Sequence, residues 1–159
     1  MKIKGIIWED FVNYKKPSMF IITCKCDFKC NREFGNNICQ NMTIVRQPDL
    51  EIEDDLLITR YLDNPITKSI VFGGLEPFEQ FDEVLWFIET LRNKYNCNDD
   101  VVIYTGFYPE EIQDKLNKLK QYENILIKFG RFIPNQAKHY DHVLGVDLAS
   151  DNQYAKELN

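Results

Sequence analysis

Residues 69–106 read SIVFGGLEPFEQFDEVLWFIETLRNKYNCNDDVVIYTG, and their pattern sets the fold. Ser69 to Phe72 is a short apolar run that ends in Gly73-Gly74. Across Glu79 to Tyr95, the residues Phe81, Val84, Leu85, Ile88 and Leu91 recur at i, i+3, i+4, i+7 and i+10. That spacing puts them on one stripe of a helix. Val101 to Tyr104 is a second apolar run, closed by Thr105-Gly106. Strand, helix and strand in this order make a βαβ unit, whose two strands run parallel.

The same rhythm extends outward. Pro109 to Gln121 predicts a second helix: Pro109 and two glutamates open it, lysines crowd its end, and Ile112, Leu116 and Leu119 mark its buried side. Asn124 to Ile127 predicts another strand. Upstream, Ile3 to Trp8 and Pro17 to Thr23 predict strands joined by the segment Glu9 to Pro17, the second strand centred on Met19-Phe20-Ile21-Ile22. Leu50 to Leu62 predicts a helix with Leu50, Leu57 and Tyr61 on one face and an acidic first turn. From Gly130 onward the chain predicts loop with a short C-terminal helix. The expected fold is α/β: an open, curved, mostly parallel sheet of five or six strands, half a barrel, since a closed eight-stranded barrel needs a longer chain.

A chain of 159 residues forms a single domain, 1–159, with room for one real core. Apolar residues make up 44% and aromatic ones 13%, a globular rather than a disordered composition. The net charge is -6, which argues against a general nucleic-acid binder, because such a protein needs a basic face. No apolar run reaches the length of a membrane span, and the first residues lack the pattern of a signal peptide. The expected location is the cytoplasm, where clustered cysteines serve as ligands or redox groups more often than as disulfides.

Four of the five cysteines fall within Thr23 to Asn41, TCKCDFKCNREFGNNICQN. Cys26, Cys30 and Cys39 are spaced C-x3-C-x8-C, with Cys24 just upstream. Thiolates this close converge on one soft metal centre. A four-cysteine set suits structural zinc or an electron-transfer cluster; three cysteines leave one position open for a ligand. Strand-like alternation over Thr23 to Cys26 places Cys24 and Cys26 on the same face. The thiols follow a strand end, and so do Gly73-Gly74-Leu75-Glu76-Pro77, Tyr104-Thr105-Gly106-Phe107 and Gly130-Arg131-Phe132. All four groups therefore meet on one rim, the place where open α/β sheets bind ligands. The glycines admit a ligand close to the backbone. Glu76 is either a group that takes an ammonium or a carboxylate at a helix start. Cys97 reads as an ordinary free thiol.

These residues resemble the radical S-adenosylmethionine (SAM) superfamily, most closely its activating enzymes of anaerobic ribonucleotide reductase. The likeness runs through nearly the whole chain. Asp10-Phe11-Val12-Asn13 and Ser18-Met19-Phe20-Ile21 are similar to the segment leading into that family's first cysteine. The resemblance implies that Cys26, Cys30 and Cys39 hold a [4Fe-4S] cluster, that Ile38 lies against the adenine, and that Cys39-Gln40-Asn41 is the family's Cys-x-Asn ending. Gly73, Gly74 and Glu76 correspond to the segment that binds the methionine amino group. Ile103 to Gly106, including Thr105, Gly130 to Phe132 and Ser150 to Gln153 resemble further landmarks in the same order. Two departures stand out. The family spacing is C-x3-C-x2-C, whereas here six extra residues, about Asn31 to Asn36, lie between the second and third cysteines. Leu75 also interrupts the family's Gly-Gly-Glu-Pro run. The resemblance further implies reductive cleavage of SAM to methionine and a 5′-deoxyadenosyl radical. That radical takes a hydrogen atom from a glycine of a partner glycyl-radical enzyme, with a flavodoxin-like protein as electron donor and neither nucleic acid nor membrane as partner; the alternative readings are a small-molecule radical SAM enzyme that makes a modified nucleobase precursor and a non-catalytic zinc-stabilised binding module.

Overall fold

The computed structural model describes residues 1–35 and 37–158. Nine strands are assigned among them: β1 (Lys2–Asp10), β2 (Ser18–Thr23), β3 (Leu50–Glu51), β4 (Ser69–Gly73), β5 (Asp100–Tyr104), β6 (Ile125–Phe129), β7 (His139–Asp141), β8 (Val146–Leu148) and β9 (Tyr154–Glu157). The helices are α1 (Lys29–Phe34), α2 (Met42–Val45), α3 (Asp54–Asp63), α4 (Phe81–Asn93) and α5 (Gln113–Leu119). Seven strands form one sheet in the order β3-β1-β2-β4-β5-β6-β9, and β7 and β8 form a separate hairpin.

The α/β expectation holds: the sheet is parallel at its centre and antiparallel toward its edges, and it has seven strands instead of five or six. The central pairings β2–β4, β4–β5 and β5–β6 are parallel. The outer pairings β1–β2, β1–β3 and β6–β9 are antiparallel. Connection length explains the difference. Residues 11–17 are too few for a crossover, which takes about a dozen residues or more, so β2 must turn back beside β1.

Three local expectations change. The helix foreseen from Leu50 begins at Asp54, because Leu50 pairs with Ile3 as an edge strand. The N-terminal ammonium fixes this register by donating to the Ile52 carbonyl (2.7 Å) and to Asp54 Oδ1 (2.9 Å). The foreseen C-terminal helix is instead β9, which covers the free edge of β6; main-chain pairing outweighs the weak local preference of Tyr154–Glu157. The cysteine segment, expected as loop, contains α1, and α2 follows directly after it. Of the six extra residues, Asn36 lies outside the described residues, and 31–34 belong to α1.

Strand alternation divides the core in two. On one face Met19, Ile21, Ile70, Phe72, Val101, Ile103, Ile125 and Ile127 pack against α3, α4 and α5. Phe72 and Phe87 meet edge to face at 5.3 Å. On the other face Phe20, Val71, Val102 and Leu126 pack against Tyr14 and against Leu144 and Leu148 of the hairpin region. All three longer helices thus lie on one side. The opposite side is covered only by loop and hairpin, and it opens upward at the C-terminal ends of β2, β4, β5 and β6. Among the described residues, no helix is long and apolar enough to cross a membrane.

Candidate metal centre

A cavity of about 470 Å³ opens at those strand ends. Cys26, Cys30 and Cys39 all line it. The strand that feeds them ends at Thr23, whose hydroxyl donates to the Gly73 carbonyl (3.0 Å). Beyond it, the Cys24 N–H donates to Gln80 Oε1 (2.7 Å), and the Glu76 N–H donates to the Lys25 carbonyl (2.8 Å). Strand alternation therefore stops before Cys26, and the expectation that Cys24 and Cys26 share a face fails. Cys26 lines the cavity, whereas Cys24 is not among the lining residues and has Asp49, Glu83 and Lys4 for charged neighbours.

Phe28 turns the chain into α1 with φ at 55°, and its N–H donates to Cys26 Sγ (3.3 Å). The chain returns so that the Cys39 N–H donates to Asn31 Oδ1 (3.0 Å). Burial pushes the Cys26 thiol up to about 12 and raises Cys30 as well, with the neighbouring Cys39 adding to the latter. Thiols in this state bind metal only by releasing protons. All five cysteines are free.

The second wall is the glycine turn. Asn41 Nδ2 donates to the Gly74 carbonyl, which fastens the end of the cysteine segment to it. Gly74 lines the cavity at φ +84°, and a Cβ there would lie 2.5 Å from Ile22 Cγ2. Gly73 is not a lining residue; a Cβ there would lie 2.9 Å from the Phe20 ring. Close packing against β2 thus demands both glycines. Ile38 is half-buried and likewise not among the lining residues.

Glu76 and Thr105 line the cavity together. Glu76 is buried, and its carboxylate accepts from Thr105 Oγ1 (2.7 Å), the Gly106 N–H (2.8 Å) and the Phe78 N–H (3.1 Å). It both caps the turn Pro77–Gln80 and ties the loop after β4 to the loop after β5. Burial raises its pKa to about 7, against those three donors and the charge of Lys128.

Lys128 is the site residue that sequence reasoning passed over. It is only 7% exposed, lines the cavity, and donates from Nζ to the Gly130 carbonyl (2.9 Å). Burial lowers its pKa to about 8. A lysine inside the apolar run ILIKF was the available signal; ending the strand at Ile127 hid it.

Among the described residues, no group of three or more His, Cys, Asp or Glu is gathered tightly enough to hold a single metal ion. A cubane is gripped at separate corners, so its thiolates stand further apart than the ligands of one ion. Three thiols on the wall of one cavity are a donor set that fits such a group.

The fold and site define an α/β domain with three cysteines on the wall of one strand-end cavity. The sequence matches the 4Fe-4S single cluster domain family over residues 17–153, and the chain belongs to that family. No curated protein and no solved structure matches it.

Proposed function

We propose that this chain is a radical SAM oxidoreductase that installs a glycyl radical on a partner of the anaerobic ribonucleotide reductase type, fed by a flavodoxin-like donor, and that its sheet is the open half-barrel of that superfamily. One observation carries the reading: Cys26, Cys30 and Cys39 line the same strand-end cavity as the Gly74 turn, in a chain of a 4Fe-4S family. When bound, the cluster supplies an electron that breaks a carbon–sulfur bond of SAM.

The chain's own residues bind and orient. Gly74 lets the turn after β4 pack close against Ile22 and so line the cavity beside the cysteines. Lys128 offers an ammonium to the carboxylate of an amino-acid ligand. Glu76 is bonded to three protein donors, so its part is to hold the Gly74 and Thr105 turns together while its negative charge faces a cationic ligand. A volume of about 470 Å³ suits one cofactor-sized molecule.

The test is anaerobic. Purified protein should be brown, with about four irons per chain. Its reduced electron-resonance signal should change when SAM is added, and SAM should be cleaved to 5′-deoxyadenosine under reductant. Mixing with a glycyl-radical partner should then produce a glycyl radical. A colourless protein holding one zinc defeats the proposal outright. SAM cleavage coupled to a small molecule, without any partner, defeats the activase part alone.

A further inference from the structure

Six extra residues help separate Cys30 from Cys39, and the helix they help form has little of its own to hold it, as has the four-residue α2. α1 buries none of its side chains and has no side-chain cap. A six-residue helix without an apolar face cannot hold itself in water. Charge ties it to the far wall of the cavity instead. Lys29 and Glu33 stand four residues apart, on one side of the helix. Glu33 accepts from Arg131 Nε (2.8 Å) and Nη2 (3.1 Å). Arg131 also donates to both oxygens of Glu111 (2.8 and 2.7 Å) and to the Gly106 carbonyl (2.8 Å). Lys29 completes the circuit by pairing with Glu111.

This node differs from an ordinary surface ion pair. The Arg131 side chain is only 6% exposed, its guanidinium lies 4.8 Å from the Tyr108 ring, and every one of its N–H groups has an acceptor. Three of its five guanidinium bonds go to Gly106 and Glu111, in the segment after β5, and two go to Glu33 on α1. Glu33 is the more exposed partner, at 36%. The firm half of the contact therefore belongs to the sheet, and the half that can leave belongs to the cysteine segment. The ends of that segment are anchored separately, through Lys25 to Glu76 and through Asn41 to Gly74. Between these two anchors, α1 can lift without the fold opening.

We propose that α1 is a cover over the metal site, latched shut by the Lys29–Glu111–Arg131–Glu33 node, and that Arg131 is thereby the positioning residue for Cys30. The proposal rests on the reading of Cys30 as a cluster ligand. The latch itself exists in the metal-free chain and can be measured there.

The experiment uses the full chain, anaerobic and reduced, as wild type and as Glu33→Gln and Glu111→Gln. Hydrogen exchange is read on the peptide covering α1, and iodoacetamide labelling is read at Cys30 and at Cys97. Loss of the Glu33 contact should speed both exchange in α1 and labelling of Cys30 roughly five-fold. Cys97 labelling and the urea midpoint should not move. Molar salt should loosen the wild type in the same way and Glu33→Gln to a smaller degree, since its Lys29–Glu111 pair remains. In reconstituted protein, Glu33→Gln should surrender iron to a ferrous chelator faster than wild type. Unchanged α1 exchange in both folded variants overturns the latch. Faster Cys30 labelling with unchanged exchange overturns it too, because a lost charge alone would explain that. A chain that never takes up iron refutes the cluster reading and leaves the exchange result standing.

Discussion

Raising the pH from 4.5 to 7 should weaken the metal-free fold, and Glu76 should be the cause. Its carboxyl ordinarily titrates at 4.5; burial moves it to about 7. Between those values the folded chain keeps a proton that the unfolded chain has released. The stabilisation is therefore complete below about 4.5 and disappears as the pH climbs through 7. At about 1.4 kcal/mol per pH unit of displacement, the loss is about 3 kcal/mol. Lys128 acts in the opposite sense at higher pH. Burial lowers it from 10.5 to about 8, so stability should recover between those two values. The stability minimum falls near pH 7 to 8, where both buried groups carry charge. Urea unfolding followed by circular dichroism at pH 5, 6 and 7, under anaerobic reducing conditions, measures the first arm. In Glu76→Gln the amide nitrogen meets the Gly106 N–H, an unfavourable contact of about 1–3 kcal/mol that does not itself titrate. Wild type should lose stability from pH 5 to pH 7, and the variant should not. Equal slopes in both would refute the assignment.

Three further outcomes follow from the same coordinates. Cys26→Ala, Cys30→Ala and Cys39→Ala should each lose bound iron under anaerobic reconstitution, whereas Cys24→Ala should keep it; iron per chain is the measurement, and loss in Cys24→Ala alone would reverse the ligand assignment. Gly74→Ala must hold φ at +84° with its Cβ against Ile22, so it should cost about 1–3 kcal/mol in urea unfolding. Phe72→Ala removes a fully buried ring from the face that carries α4, and should cost about 3–5 kcal/mol.

The sheet's centre was legible in the sequence because its strands are buried on both faces. SIVFG, DVVIY and ILIKF are nearly continuous apolar runs, and the stripe from Phe81 to Leu91 has helical spacing and nothing else. The edges were not legible. Leu50–Glu51 and Tyr154–Glu157 are strands because a neighbour offers them main-chain partners, which no local pattern announces. The rim was half legible. Cysteines and glycines announce themselves by type, and the logic of strand ends brought them together. Lys128 and the node at Arg131 were hidden, because their roles come from burial and from pairs up to 98 residues apart in the chain.

Two buried charges shape this rim in different ways. Glu76 binds to groups that the sheet already fixes: the turns after β4 and β5 and the start of the Pro77 turn. Its contacts cannot be lost without loosening strand ends, so Glu76 makes the cavity floor rigid. Arg131 gives part of its fork to equally fixed groups, Gly106 and Glu111, and the rest to Glu33, whose helix buries nothing. Segments with few buried contacts open at low free energy. The same kind of interaction thus yields a stiff platform on one side and a removable cover on the other, and the difference lies in what backs the partner. An exposed cluster is destroyed by oxygen, and a sealed one cannot be loaded. A firm floor beneath a charge-latched helix meets both requirements, and of the four latch residues it is Glu33 that the six extra residues between Cys30 and Cys39 supply.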